Sequence, residues 1–163
     1  MRAEDLAEVG RIGGIVHPAY PERAEVPSER LSLFPNGCFA AGDGGGLVGY
    51  AISHPGTLGR PPMLDTLLGA LPASPDCLYL HDVALLPAVR GLGLGAALLD
   101  RLIEVARGRR LGHLALVAVN RSVPYWTAHG FAQPDVRPAG LAAKLASYGG
   151  DAAYLVRPVR DRA

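Results

Sequence analysis

Residues 77–99 read CLYLHDVALLPAVRGLGLGAALL, and this stretch decides the fold. The apolar run 78–86, broken only by His81 and Asp82 and stopped by Pro87, predicts a buried strand. Ala96, Ala97, Leu98, Leu99, Leu102, Ile103 and Ala106 then recur at helical spacing and predict an amphipathic helix. Between the two lies Arg90-Gly91-Leu92-Gly93-Leu94-Gly95. Glycines at that place let the backbone approach a ligand closely, and the free N–H groups of a first helical turn point toward an anion. Arg90 adds a fixed cation at the same mouth. The ligand chemistry this suits is a pyrophosphate.

Gly91 to Ala96 also satisfies the dinucleotide pattern G-x-G-x-x-G/A. That pattern needs its glycine turn directly on the strand end and an acidic residue closing the next strand. Here residues 86–90 separate strand from glycines, and the next predicted strand, 114–119, runs into Asn120. A phosphate loop of the G-K-S/T kind is excluded because no such triplet follows. A merely structural turn would leave Arg90 and three alternating glycines unexplained.

The arrangement resembles motif A of the GCN5-related N-acetyltransferases (GNAT), whose signature Arg/Gln-x-x-Gly-x-Gly/Ala is matched by Arg90, Gly93 and Gly95. Val83-Ala84-Leu85-Leu86-Pro87 looks like the strand end that precedes it in that family. Val119-Asn120-Arg121-Ser122, followed by Tyr125-Trp126-Thr127-Ala128-His129-Gly130-Phe131, looks like motif B. The resemblance runs well from Cys38 to Phe131 and only in outline beyond. It implies an α/β fold with a mixed, mostly antiparallel sheet, splayed as a V between two parallel strands, with helices on both faces. GNAT chains usually open with a strand, whereas residue 1 already adjoins the first helix here. Either the true start lies upstream or the domain does without that edge strand.

Composition is consistent with one domain over residues 1–163. A net charge of +1 gives no basic face for nucleic acid. No run of 18 apolar residues and no signal-peptide core is present, so neither a membrane partner nor export is expected. Cys38 and Cys77 read as buried free thiols, which suits the cytoplasm. Lys144 is the only lysine among many arginines, a bias of genome composition. Further along the chain, the pattern predicts helices at 3–15 and 28–33 and a hairpin of 38–41 with 47–53 around Gly42-Asp43-Gly44-Gly45-Gly46. Residues 54–76 form a Pro- and Gly-rich insertion with one short helix at 63–71. A helix at 123–129, a strand opening at Phe131, a helical excursion at 141–147 and a last strand at 152–159 complete the list, the last two strands being paired.

The resemblance implies acetyl-CoA as co-substrate and direct transfer to a primary amine, a small molecule rather than a protein N-terminus by a slight margin. Main-chain groups of Val83, Ala84 and Leu85 would bind the pantetheine arm, and the N–H groups across Arg90, Gly91, Leu92, Gly93, Leu94, Gly95 and Ala96 the pyrophosphate. A backbone N–H near Val83 or Ala84 would polarise the thioester carbonyl. Asn120 would steady the cofactor arm or the amine. His81 stands where relatives carry Glu before Asp, and its imidazole suits a general base. Strand alternation sends His81 and Asp82 to opposite faces. Trp126 occupies the family's usual acid position, where an indole packs on the cofactor but gives no proton. Tyr125, one residue earlier, is the expected acid.

His17, Tyr20, His54 and Asp65 are candidates to border the acceptor. Glu22, Glu25 and Glu29 attract a cationic amine or simply form a solvated face. Ser122 reads as a helix cap. No metal is expected, since no His/Cys/Asp/Glu set has ligand spacing. A homodimer is admitted. A CoA-binding module without turnover is the alternative function, and an NAD-dependent oxidoreductase the third.

Overall fold

The computed structural model describes residues 1–42, 44–135 and 138–159. Helix α1 (Leu6–Val16) and helix α2 (Glu25–Leu33) precede a hairpin of β1 (Cys38–Gly42) and β2 (Leu47–Gly56). Asp43, part of the predicted hairpin turn, lies outside the described residues. Then follow β3 (Cys77–Leu85), α3 (Leu94–Gly108), β4 (His113–Ala118), α4 (Val123–Ala128), α5 (Leu141–Ala146) and β5 (Ala153–Pro158). The strands lie in the order β1-β2-β3-β4-β5, and only β3 and β4 run parallel. Their parallel pairing extends from Cys77↔His113 to Leu80↔Leu116. Beyond it β3 continues to Leu85 with no strand partner on that side among the described residues, which opens the V.

A bulge sits where the V begins. Asp82 pairs with Ile52 across β2, but the next partners are Leu80 and Ser53, so His81 is the extra residue. Bulges re-aim side chains locally. Leu78 and Leu80 pack under α3 with Leu98, Leu99 and Leu102, and past the bulge Val83 and Leu85 join that same cluster. Ala84 faces the other side, with Val9 and Ile12 of α1 and Tyr50 and Ile52 of β2. The strand therefore keeps apolar faces on both sides of a polar interruption. The expected opposition of His81 and Asp82 is corrected by this bulge: both side chains reach the same cavity.

Three further expectations are corrected. Residues 63–71 form no helix. Pro61 and Pro62 precede the segment, Pro72 follows it, and Asp65 and Gly69 take left-handed φ of 54° and 71°, which break helical continuity. The strand expected at Phe131 is reduced to one bridge, Ala132↔Val156. The next ladder donor on that side would be residue 134, a proline without an N–H. β5 is paired along its length with β4, from His113↔Pro158 to Ala118↔Ala153, and on its other edge meets the Phe131 segment, among the described residues, at that one bridge. Cys38 and Cys77 are buried free thiols, as expected. No strand precedes α1 in the described chain.

Candidate functional site

A cavity of about 800 Å³ fills the V and runs from the start of α3 to the loop between α1 and α2. Gly91 and Gly93 hold φ of 81° and 82°, left-handed values that glycine adopts without the Cβ penalty. Gly93 caps α3, and the first turn behind it offers unpaired N–H groups to the cavity mouth. Arg90 stands beside them, its Nε donating to the main-chain oxygen of Leu85 at 3.3 Å.

The main chain of β3 alternates in use. Leu86 N–H donates to Val48 O at 2.9 Å, so Ala84, two residues back, also pairs toward β2, opposite Tyr50. Val83 and Leu85 turn their N–H and C=O groups the other way, into the V. Of the three residues expected to bind an extended arm, these two have the open edge. Ala84 is 1% exposed and has its main chain in the β2 ladder.

At the far end, two imidazoles are each held by a carboxylate. His81 Nε2 lies 2.9 Å from Glu22 Oε2, and its Nδ1 is buried without a partner. His17 Nε2 lies 3.1 Å from Asp82 Oδ1 and 3.4 Å from Val83 O. Tyr50 donates its hydroxyl proton to the other oxygen of Asp82. Burial alone would raise the Asp82 carboxyl, but the hydrogen bond and charge of His17, with the Tyr50 hydroxyl, hold it below the ordinary range. Burial alone would lower the His17 imidazole. The hydrogen bond and charge of Asp82, aided by Val83 O and opposed by Arg90, raise it instead.

His17 also joins the two arms of the V. Its Nδ1 lies 2.9 Å from Asn120 Nδ2, just beyond the end of β4. Asn120 and Arg121 take left-handed φ of 52° and 57°, a strained pair that turns the Asn120 side chain back toward α1. The same amide reaches Val16 O at 3.5 Å.

The aromatic pair of α4 divides its duties. Trp126 packs on Phe131, with ring centroids 5.3 Å apart, and against the α3 core while one side lines the cavity. Tyr125 places its hydroxyl over Gly95, where a Cβ would come within 2.3 Å of it. Gly95 is thus small because a phenol lies on it. Tyr125 is 43% exposed and lines the cavity beside Gly95. Leu92 is 71% exposed; neither it nor Leu94 lines the cavity, whereas Gly91, Gly93, Gly95 and Ala96 do. Ser122 is the N-cap residue of α4, but its hydroxyl makes no capping bond.

The insertion crosses the far end of the cavity as a strap. Leu64 lines the cavity, its N–H bonded to Ser147 Oγ at 3.1 Å, and Tyr148 donates its hydroxyl to Pro62 O. On the opposite side Glu22 accepts from Asp65 N–H at 3.2 Å, and Arg23 binds the Asp65 carboxylate. Glu29 accepts from Leu68 and Gly69 N–H, both at 2.8 Å, and pairs with the buried Arg30, which donates to Thr66 O. Of the three glutamates, only Glu25 is exposed. Glu22 and Glu29 are drawn inward because the strap's unpaired N–H groups need acceptors. The charge pattern of 22–29 alone contained no sign of that.

Among the described residues no set of three His, Cys, Asp or Glu side chains is grouped to hold a metal ion, and no helix is long and apolar enough to cross a membrane.

The sequence model of the Acetyltransferase (GNAT) family matches residues 11–131. A curated relative, serotonin N-acetyltransferase 2, chloroplastic, of Oryza sativa subsp. japonica, is 38% identical over 61 residues, which are 37% of this chain and 30% of that protein. The chain thus matches under a third of that relative's length. Among solved structures, the loading GNATL domain of CurA from Lyngbya majuscula superposes with a TM-score of 0.79 at 16% identity, covering 99% of this chain and 96% of that one. The GphF GNAT-like decarboxylase in complex with isobutyryl-CoA gives 0.77 at 18%, covering 98% and 97%. The ribosomal-protein-S18-alanine N-acetyltransferase from Escherichia coli gives 0.62 at 19%, covering 100% and 93%.

Proposed function

Because this chain belongs to the acetyltransferase (GNAT) family, we propose that it transfers an acetyl group from acetyl-CoA directly to the primary amine of a small molecule. The observation that carries this reading is one cavity with an anion-binding mouth at Arg90–Ala96 and two carboxylates, Glu22 and Asp82, at its other end. Solved relatives that hold isobutyryl-CoA or CoA support a CoA-linked donor. The first-turn N–H groups of α3 and Arg90 bind the pyrophosphate, with the Tyr125 hydroxyl beside them over Gly95. Val83 and Leu85 take the pantetheine amides as an added strand would, and the Val83 N–H faces the thioester oxygen.

His81, oriented by Glu22, accepts the proton of the incoming ammonium, directly or through a water. Asp82 and Glu22 favour a cationic acceptor electrostatically. The strap favours a small molecule over a protein N-terminus, because residues 62–65 bridge the α1–α2 loop and the residues just after α5 across that end. Trp126, wedged against Phe131, supports the wall of the site, so a tryptophan there is compatible with turnover.

Thermal unfolding with and without acetyl-CoA tests the donor. At 100 times Kd the ligand adds about 2.7 kcal/mol, a shift of several degrees. A shift with acetyl-CoA and none with NADH is expected; the reverse would return the glycine loop to dinucleotide chemistry. Thiol release on adding amines then separates an enzyme from a CoA-binding module, which shifts but does not turn over.

A further inference from the structure

Acyl transfer from a thioester needs a group that hands a proton to the departing sulfur, and His17 lines the cavity as Tyr125 does. Resting on the acyl-transfer reading above, we propose that His17 is this proton donor, held between the two arms of the V by Asp82 and Asn120. Its Nε2 stands 3.4 Å from Val83 O, on the open edge along which the acyl-carrying arm lies in that reading. Asp82 Oδ1, at 3.1 Å, fixes the ring and favours its charged form. Asn120 suits both protonation states. Turned so that its oxygen faces Nδ1, the amide accepts the Nδ1–H that the ring carries both when charged and after Nε2 has given up its proton.

The charged groups around His17 come from three sides. Asp82 on β3 favours the imidazolium, with Tyr50 of β2 bonded to the same carboxylate. Arg90 beyond β3 disfavours it, and Asn120 beyond β4 is neutral. The ring accordingly keeps its proton to higher pH than a free histidine.

In the step, the amine nitrogen forms a bond to the acyl carbon and the carbon–sulfur bond breaks, its electron pair going to sulfur. The ammonium gives up two protons in all. His81 accepts them in turn, one before attack and one as the amide forms, and passes both to water; His17 Nε2 delivers one proton to sulfur and takes one back from solvent. Free thiol, amide and one released proton result.

The test uses His17→Gln and Asp82→Asn in the full chain. Wild type shows a kcat that falls at alkaline pH, with a midpoint matching the His17 ring titration followed by NMR. His17→Gln binds CoA within about threefold by calorimetry, loses about 100-fold in kcat, and lacks the alkaline fall. Asp82→Asn moves both the ring titration and the alkaline midpoint to lower pH. The inference is overturned if His17→Gln keeps kcat within about threefold, keeps the alkaline fall, or loses CoA affinity alone. It is also overturned if ring and rate titrate apart. A wild-type protein that binds no CoA would sink the acyl-transfer reading itself, whereas equal turnover by wild type and His17→Gln would sink this inference and spare that reading.

Discussion

Glu29→Ala unhooks the strap, and its cost follows from what the carboxylate holds. It accepts two main-chain N–H groups of the strap, Leu68 and Gly69, each at 2.8 Å, and neutralises Arg30, whose side chain is fully buried. Without it the guanidinium keeps, among the described residues, only Thr66 O, and its Nε has no partner among them. Breaking a buried pair by removing one partner costs about 3–5 kcal/mol. Glu29 retains 18% side-chain exposure, so water recovers part of this, and about 2–3 kcal/mol remains. For a domain of this size that is a fall in Tm of about 5–10 °C. Most of the loss comes from the stranded charge rather than the lost bonds. Arg30→Met in the same chain therefore returns about 1–2 kcal/mol relative to additivity. Urea unfolding of wild type, both single variants and the double variant, followed by circular dichroism at constant m, measures the cycle. A Glu29→Ala loss below about 0.5 kcal/mol, or strict additivity, would refute the strap's dependence on this pair.

Gly93→Ala forces a Cβ onto a φ of 82° and should cost about 1–2 kcal/mol, with weaker CoA binding by calorimetry, while an unchanged affinity would separate the cap from the ligand site. Tyr125→Phe is expected to raise KM for the acyl donor and leave kcat within a fewfold, since its hydroxyl lies at the glycine end; a hundredfold fall in kcat would restore it as the acid. His54 is held neutral, its imidazole pushed down to about 3 chiefly by burial. The unfolded chain binds a proton there below pH 6.5 that the folded chain refuses, so this residue removes stability as pH falls from about 6.5 toward 3. His54→Asn should flatten that part of the stability–pH curve, and an unchanged slope would show that another group is responsible.

The β3–loop–α3 unit was legible from the chain because its signals are local. An apolar run, a proline stop, alternating glycines and a 3.6-residue periodicity each act within a few residues, and the structure reproduces strand, turn and helix in that order. The hairpin and the helix at Leu141 were readable for the same reason. What failed depended on partners far away in sequence. The 63–71 segment has a helix-compatible composition but is pinned as a strap by Glu22, Glu29 and Arg30, some 40 residues earlier. The Phe131 segment begins as a strand would and is stopped by a single missing donor at Pro134.

The same distinction holds at the candidate site. By itself the sequence determined the family, the glycine loop ahead of α3 and the presence of His81 and Asp82 on one strand, since each rests on residue types at short fixed spacing. Tertiary structure alone decided that a bulge brings both side chains to one cavity, that Glu22 holds His81, and that His17 meets Asp82 65 residues along the chain and Asn120 103 residues along it. A bulge is set by the register of two strands, and an ion pair by where two loops close upon one another. Neither is written in the spacing of neighbouring residues, because each is fixed only when distant segments pack.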